Sequence, residues 1–200
     1  VPPELERDVT FVRTDLADAE SIKQLAEAVV RAHGGVDVLV NNAGVMFERH
    51  VRDMTVAEWD QILDVNLKAP FLLTQAVLAP MEERGSGSII NIGSIEGLAA
   101  NPGHTAYCAT KSGVHGMTRA MAVDLGTSGI RVNAIAPGWI ETDLVKEYVS
   151  QIADQESFAQ QLRELHPAGR SGQPVDIGRT AAFLASDDAA FITGQVIVVD

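Results

Sequence analysis

The apolar residues of this chain fall into two patterns that alternate along its length. Short continuous apolar runs are typical of β-strands covered on both faces, and apolar residues at every third or fourth position are typical of amphipathic helices. Repeated alternation of the two predicts parallel strands joined by crossover helices. The runs predict five strands, at Val9–Thr14, Val36–Asn41, Ser88–Gly93, Arg131–Ala136 and Gln195–Val199.

Helices are predicted in the intervals between these strands. The spacing places them at Ala19–Ala32, Val56–Glu83, Thr105–Leu125 and Val175–Ala185, with one or two mobile helices within Asp143–Leu165. No internal repeat or linker divides the 200 residues, a length typical of one domain. The chain is therefore predicted to form a single α/β domain, a three-layer doubly wound parallel sheet of the Rossmann type.

The second predicted helix carries a start signal and an interruption. Thr55 and Glu58 have the spacing of a capping box. Pro70 has no backbone N–H, so the carbonyl of Asn66, four residues earlier, loses its usual helical partner. We expect the helix to bend here and to leave that carbonyl free.

The charge balance narrows the classes of partner. Fifteen Lys and Arg residues against 27 Asp and Glu residues give a net charge of −12, which disfavours nucleic acid and anionic lipid surfaces. No uninterrupted apolar run approaches the roughly 18 residues of a membrane span, so no membrane association is expected. The lone Cys108 cannot form an intramolecular disulfide, and no targeting pattern is present at the amino terminus. These features favour a cytoplasmic location.

Small and polar residues follow three of the predicted strands at their carboxyl ends. The segment Asn41–Gly44 closes the second strand, Ser94 follows the third, and Pro137-Gly138 with Thr142 follows the fourth. The carboxyl ends of parallel strands lie at one edge of a sheet, where open α/β sheets bind ligands. Each feature alone is an ordinary turn or helix cap, but together they predict a ligand site at this edge.

Tyr107 and Lys111 stand four residues apart in the predicted helix Thr105–Leu125. This spacing puts both side chains on one helix face, so the ammonium is expected to lie near the phenol and to lower its pKa. A phenol with a lowered pKa can exchange a proton with a substrate oxygen, and the Ser94 hydroxyl can hydrogen-bond the same oxygen. Alone, the pair also fits an exposed helix face.

Taken in order, these features resemble the short-chain dehydrogenase/reductase family, and the resemblance extends over essentially the whole chain. The markers are Asn42-Ala43-Gly44, Asn66, Ser94, Tyr107 with Lys111, Pro137-Gly138, Thr142 and Ile192-Thr193-Gly194-Gln195. The resemblance implies hydride transfer between NAD or NADP and a small-molecule secondary alcohol or ketone. The segment Asn91–Val114 is similar both to 3-oxoacyl-carrier-protein reductases and to sugar or cyclic-alcohol dehydrogenases. The alternative is a non-catalytic relative that keeps the fold as a binding or scaffolding module.

The resemblance also implies roles for individual residues. Tyr107 would be the acid in reduction and the base in oxidation, and Lys111 would lower its pKa and bind the nicotinamide ribose. Ser94 would orient the substrate oxygen, and Asn66 would hold a water that relays protons to Lys111. The implied cofactor contacts are Asp15 and Leu16 at the adenine, Asn42, Ala43 and Gly44 at the adenosine ribose, and Pro137, Gly138, Ile140 and Thr142 at the nicotinamide carboxamide. A substrate pocket is expected to be bordered by Met46, Glu96, His104, Trp139 and the region Leu144–Leu165.

The family's opening segment, a strand, a glycine-rich turn, a helix and a second strand, has no counterpart in the chain. No G-x-G-x-x-G occurs, and Gly85-Ser86-Gly87 precedes a strand instead of following one. We therefore expect a cut version of a longer enzyme whose sheet lacks the family's first two strands and first helix. Such a chain is expected to bind dinucleotide poorly, because the pyrophosphate loses its helix amino terminus. The residue that separates NAD from NADP belongs to the same segment, so the choice stays open.

The resemblance further implies a homodimer or homotetramer assembled through two long helices. Small residues in the predicted helix Thr105–Leu125 would let another helix approach closely, or would pack onto the chain's own sheet. They are Ala106, Ala109, Gly113, Gly116 and Ala120.

Overall fold

Among the residues that the structure describes, four parallel strands form one sheet, in the order in which they follow along the chain. The computed structural model describes residues 9–142, 145, 149, 152 and 154–200. The strands are β1 (Val38–Asn41), β2 (Gly87–Ile92), β3 (Ile130–Pro137) and β4 (Val196–Val199). The registers pair Asn41 with Asn91, Ile92 with Ile135 and Pro137 with Val199. The four carboxyl ends therefore lie along one edge of the sheet.

Helices cover both faces of the sheet. They are α1 (Ala19–His33), α2 (Val56–Leu63), α3 (Ala69–Arg84), α4 (Thr105–Leu125), α5 (Gln155–Leu165) and α6 (Pro174–Ala185). On one face, Met81 of α3 packs into a core with Ile89 and Val132. On the other face, Leu184 of α6 packs with Ile90. Successive strand residues point to opposite faces, so Ile89 and Ile90 face different cores, and the predicted three-layer α/β fold is confirmed.

The predicted elements agree with the structure in type at most positions. Four of the five predicted strands are present with ends shifted by one or two residues, and the helix Thr105–Leu125 has the predicted bounds. Within the predicted region Asp143–Leu165, α5 begins at Gln155. Residues 143, 144, 146–148, 150, 151 and 153 lie outside the described residues, so the expectation for them stays a prediction.

The predicted strand Val9–Thr14 was wrong. The segment forms neither strand nor helix, and the exposed fraction of Phe11 is 79%. A strand is held by hydrogen bonds to a neighbour, and within the described residues β1 pairs only with β2. The apolar run fits the face of a sheet, but no described strand lies beside it.

A π-helical turn separates α2 from α3 at the place where the bend was expected. The turn is Asp64–Lys68, and the N–H of Ala69 donates to the carbonyl of Asp64, five residues back. The change of hydrogen-bonding pattern precedes Pro70, which has no N–H to continue the ordinary ladder. The capping box of Thr55 and Glu58 at the start of α2 is also present, with both reciprocal hydrogen bonds.

Within the described residues, Val56–Arg84 is the one helical stretch long and apolar enough to cross a membrane by length and composition. Polar residues are scattered along this stretch, so no uninterrupted apolar run in it approaches that length. Val77 and Met81 of this stretch are buried against Ile89 of the sheet. A core helix of a folded domain passes the same test.

Candidate active site

Lys111 is anchored to the end of β2. Its Nζ donates to the carbonyl of Ile92 at 2.8 Å and lies 5.5 Å from the centre of the Tyr107 ring. The residue is 4% exposed, and burial lowers the pKa of Lys111 to about 8. The spacing of four residues therefore brings phenol and ammonium together as predicted, and the backbone of the neighbouring strand fixes the ammonium in place.

The Tyr107 phenol lies near Ser94, which follows the end of β2. Burial raises the pKa of Tyr107, a hydrogen bond with Ser94 lowers it, and the negative charge of Glu96 raises it further. The expectation that Lys111 lowers this pKa is not met in this structure, because burial dominates and the ammonium is bonded to Ile92 instead of to the phenol. The free protein therefore holds a neutral phenol at neutral pH.

The side chain of Asn66 forms two hydrogen bonds with the loop that follows β1. Its Oδ1 accepts from the N–H of Val45 and its Nδ2 donates to the carbonyl of Val45, both at 2.8 Å. The residue is 1% exposed. A Cβ on Gly44 would lie 3.3 Å from Asn66 Oδ1 and 3.7 Å from Lys111 Nζ. The π-helical turn thus brings the predicted segment Asn42–Gly44 beside Lys111.

Buried amides connect β1, β2 and α4 behind this loop. Asn41 Nδ2 donates to Asn91 Oδ1 at 2.8 Å, and Asn91 Nδ2 donates to the hydroxyl of Thr118 at 2.9 Å. All three residues are buried. Asn41 Oδ1 itself has no hydrogen-bond partner among the described residues. The two buried side-chain hydrogen bonds nevertheless connect the strand ends to the helix that carries Tyr107.

Small residues let α4 approach the strand end closely. The ring of His115, two turns after Tyr107, lies against Gly93 and Gly97, where a Cβ on either glycine would overlap it. His115 is 2% exposed, and burial lowers its pKa. The face of α4 that carries positions 107, 111 and 115 therefore packs against the segment that contains Ser94.

The residues predicted for the nicotinamide carboxamide follow β3 at the same edge. The N–H of Gly138 donates to Val199, Ile140 forms a parallel bridge with Gly172, and the hydroxyl of Thr142 accepts from the N–H of Val145. Pro137 ends the strand. Among the described residues, no hydrogen bond joins this turn to Tyr107 or Lys111.

Asp15 and Leu16 lie in the turn before α1. The N–H of Asp15 donates to the Ser21 hydroxyl at 3.0 Å, and its carboxylate accepts from the N–H of Ala17 at 2.9 Å. In the part of the chain that the structure describes, no hydrogen bond connects these two residues with the loop of Gly44 or with Lys111. The structure gives Asp15 a local role at the start of the helix.

The side chain of His166 holds the turn after β3 through a hydrogen bond to its backbone. Its Nε2 accepts from the N–H of Trp139 at 2.8 Å, and its Nδ1 lies 2.7 Å from the carbonyl of Leu162. Asp200 Oδ1 lies 3.3 Å from the same Nε2. A Cβ on Gly138 would come within 3 Å of both side chains, so the turn requires glycine there.

A cavity of about 630 Å³ lies between the turn after β3 and α5. Trp139, Phe158, Leu162 and Arg163 are among its lining residues, and the rings of Trp139 and Phe158 meet edge to face. Of the residues expected to border a pocket, Trp139 and several members of the region Leu144–Leu165, among them Phe158, Leu162 and Arg163, line this cavity. Glu96 and His104 lie beside Tyr107 instead, with the rings of His104 and Tyr107 6.2 Å apart.

The arrangement around Lys111 fits the ribose of a dinucleotide. An ammonium has three N–H donors, and the Ile92 carbonyl accepts one of them. Because the group is buried, its remaining donors need acceptors inside the site, and a pair of ribose hydroxyls would supply them. Gly44 keeps the space beside the ammonium open.

Comparisons with known proteins agree with this geometry. A family model described as enoyl-(acyl carrier protein) reductase matches residues 2–200. An uncharacterized oxidoreductase of Thermotoga maritima is 41% identical over 194 residues, 96% of this chain and 75% of that protein. The 3-oxoacyl-[acyl-carrier-protein] reductase FabG of Staphylococcus aureus is 41% identical over 193 residues, 96% of this chain and 76% of that protein. A solved structure described as ElxO with NADP bound has a TM-score of 0.89 at 29% identity, covering 98% of this chain and 78% of that one.

The chain therefore belongs to the short-chain dehydrogenase/reductase family, as its motifs indicated. It is an NAD(P)-dependent oxidoreductase, and NAD or NADP is its cofactor. The chain spans about three quarters of the length of the curated relatives named here.

Three features of the site were not found in the sequence. The Ile92 carbonyl that anchors Lys111 is a backbone group, and no side-chain pattern marks it. The support of the Trp139 N–H by His166 joins residues 27 positions apart. The convergence of Asn101, His104 and Cys108 on Glu96 depends on the path of a loop. A signal for His115 was present, because positions 107, 111 and 115 share one helix face.

Proposed function

We propose that this protein transfers a hydride between NAD or NADP and a small-molecule secondary alcohol or ketone, with Tyr107 exchanging the proton. The observation that carries the proposal is the position of Tyr107 between Ser94, which is close enough to lower the pKa of the phenol, and the ammonium of Lys111, 5.5 Å from its ring centre. A carbonyl oxygen placed at the two hydroxyls would meet a proton donor and a second hydrogen-bond donor together.

The proposed proton transfer runs in both directions. In reduction, the Tyr107 hydroxyl gives its proton to the substrate oxygen as negative charge develops there, and in oxidation the phenolate takes the proton back. Ser94 donates to the same oxygen and orients it. Because burial raises the pKa of Tyr107, the free protein holds the acid form that reduction requires.

Lys111, Gly44 and Asn66 would hold the cofactor and return the proton. Two N–H groups of Lys111 would bind ribose hydroxyls in the space that Gly44 leaves open. The two hydrogen bonds between the Asn66 side chain and the Val45 backbone keep the loop at that ribose. Pro70 has no N–H to donate to the backbone carbonyl of Asn66, and this carbonyl is proposed to bind the relay water. The bound nicotinamide supplies or accepts the hydride at the substrate carbon.

The remaining cofactor contacts are proposed on the family pattern. Their support is their place at or just after the carboxyl ends of β1 and β3, on the edge where Ser94 follows β2. These residues are Asn42, Ala43, Pro137, Gly138, Ile140 and Thr142. Asp15 and Leu16, in the turn before α1, are the proposed adenine contacts.

The substrate class can be tested with protein produced from its own gene. The absorbance of reduced nicotinamide is followed with NADH and with NADPH against a 3-oxoacyl thioester, a cyclic ketone and a sugar. The relatives named as 3-oxoacyl-[acyl-carrier-protein] reductases make the thioester the first choice. Turnover of any of these carbonyl compounds supports the proposal. Cofactor binding without turnover of any ketone or alcohol would favour the binding-module alternative.

We also propose a homodimer or homotetramer. Of the small residues in α4, Ala106 is buried and Gly113 packs against Leu67, so the chain itself explains these two. Gly116 has open space beside it, and Val123, two turns further along the same helix, is 80% exposed. Light scattering tests the proposal, and a monomer at micromolar concentration would contradict it.

A cytoplasmic location is proposed from the lone free Cys108, and cell fractionation tests it.

A further inference from the structure

The carboxylate of Glu96 is hydrogen-bonded to residues of the loop that follows Ser94 and of α4. Its Oε1 accepts from Asn101 Nδ2 at 3.0 Å, and its Oε2 lies 2.7 Å from His104 Nδ1 and 3.4 Å from the thiol of Cys108. The carboxylate is 15% exposed. One side chain thus joins the beginning of the loop to its end and to the first turn of the helix that carries Tyr107.

Glu96 is also coupled to Ser94 through the backbone. Ser94 precedes the 3₁₀ turn Ile95–Gly97, and its hydroxyl accepts from the N–H of Glu96 at 3.1 Å. The position of the Glu96 backbone therefore determines where the Ser94 hydroxyl lies. The same hydroxyl lies close enough to Tyr107 to lower the pKa of its phenol.

We propose that Glu96 is a positioning residue for this reaction: its carboxylate ties the loop after Ser94 to the first turn of α4 and so sets the place of the Ser94 hydroxyl relative to the Tyr107 phenol. The proposal rests on the function proposed above. The carboxylate itself touches neither substrate nor cofactor in this scheme, because Asn101, His104 and Cys108 surround it.

The charge of Glu96 provides a second readout. The groups around Tyr107 are Ser94 and Glu96 from the loop and His104, Cys108 and Lys111 from α4 and its start. Glu48 lies on the far side of His104, with 3.7 Å between its Oε1 and His104 Nε2. A negative charge near a phenol disfavours the phenolate, so removing it should make Tyr107 easier to deprotonate.

The test compares Glu96→Ala and Glu96→Gln with Glu27→Gln, a change at an exposed carboxylate of α1. Glu96→Ala should lower kcat for ketone reduction roughly 10- to 100-fold, because misplacement of a reacting group by about 1 Å has that effect. The dissociation constant for dinucleotide should change less than about twofold, since Glu96 is not part of the ribose site. Glu96→Gln, which keeps one acceptor oxygen, should recover part of kcat and move the pH profile for alcohol oxidation to lower pH.

Cys108 reports the state of the loop independently of turnover. Its alkylation by iodoacetamide, followed by mass spectrometry of the peptide that contains it, is measured against pH. The limiting rate at high pH reports access to the thiol, and the midpoint reports its pKa, which burial raises in this structure. Glu96→Ala should raise the limiting rate about tenfold or more, as expected when a locally held segment opens.

Each outcome decides the inference. An unchanged limiting rate in Glu96→Ala would overturn it, and so would a faster rate with kcat at the level of the unmodified protein. A lower kcat together with a faster rate and unchanged dinucleotide affinity supports it. If the unmodified protein turns over no carbonyl compound, the proposed function fails, and the alkylation rates still decide whether Glu96 holds the loop.

Discussion

The ammonium of Lys111 donates to the Ile92 carbonyl at 2.8 Å and is paired with no carboxylate among the described residues. Lys111 is 4% exposed, and burial lowers its pKa to about 8. A buried cation without a counter-charge costs stability. The fold therefore carries an unfavourable charge at the place where the proposed cofactor ribose would lie, and this suggests a function for it.

Replacing Lys111 with methionine should therefore stabilise the protein at pH 7. The lowered pKa corresponds to a desolvation cost of about 3 kcal/mol, which the substitution removes. The substitution also removes the hydrogen bond to the Ile92 carbonyl, which lowers stability, so the free energy of unfolding is expected to rise by about 1–2 kcal/mol in total. Below pH 8 the native and unfolded chains both hold this proton. Between about 8 and 10.5 only the unfolded chain holds it, so the native lysine form gains stability with pH and the advantage of Lys111→Met disappears.

Urea denaturation at pH 7 and pH 10 measures this difference. The matched control is Lys68→Met, because Lys68 is exposed and paired with Asp64 at 3.0 Å on the surface. The control should change the free energy of unfolding by less than about 0.5 kcal/mol at either pH. A Lys111→Met protein less stable than the unmodified one at pH 7 would show that the ammonium stabilises the fold.

The affinity for dinucleotide should fall as the pH rises through about 8. The charged form of Lys111 predominates below that pH, and hydrogen bonds from a charged donor exceed those from a neutral amine by about 1 kcal/mol, a factor of roughly 5 in affinity. Fluorescence titration with NADH or NADPH at several pH values measures the change. Lys111→Met should bind more weakly at pH 7 and show a flat profile, and an equal pH dependence in both proteins would assign it to another group.

Gly44→Ala should weaken dinucleotide binding about tenfold or more without affecting folding. Gly44 does not have a positive φ, so alanine fits its backbone, but the new methyl group would lie 3.3 Å from Asn66 Oδ1 and 3.7 Å from Lys111 Nζ. It would fill the space proposed for the ribose. Gly178→Ala, within α6, is the control, because nothing lies within 4 Å of a Cβ there. This helical substitution should leave binding unchanged and add about 0.5–1 kcal/mol of stability.

Asn66→Ala should release the loop after β1. The substitution removes both hydrogen bonds to Val45 and leaves a part-buried N–H and carbonyl without partners, a cost of about 2–3 kcal/mol. Hydrogen exchange at the Val45 amide should become faster, while the amide of Ile90 in the core of β2 should keep its relative protection. An unchanged rate at Val45 would mean that other contacts hold the loop.

The sequence predicted an element correctly where its apolar spacing was accompanied by a hydrogen-bonding partner in the structure. The helix Thr105–Leu125 and the four strands of the sheet satisfy both conditions. Val9–Thr14 has the apolar pattern alone, and pattern cannot show whether a neighbouring strand is present. The interruption near Pro70 was predictable because a missing N–H is a local property, although its form as a π-helical turn depends on packing.

The site was predictable to the extent that motifs carry it. Ser94, Tyr107, Lys111, Asn66 and Gly44 were selected from the sequence, and the structure brings these five together. The direction in which the pKa of Tyr107 shifts was not predictable from the sequence, because spacing shows which groups are close but not how strongly burial competes with charge. The lysine anchor is a carbonyl, which every residue has, so sequence alone does not identify it.

The most direct test of the proposed mechanism is the turnover of Tyr107→Phe in protein produced from its own gene. Phenylalanine keeps the ring that packs beside His104 and Lys111 and removes only the hydroxyl. We expect kcat to fall at least about 100-fold, because general acid–base catalysis contributes that much or more, while the dissociation constant for NADH or NADPH stays within about threefold. A Tyr107→Phe protein that reduces its ketone at the rate of the unmodified protein would contradict the mechanism.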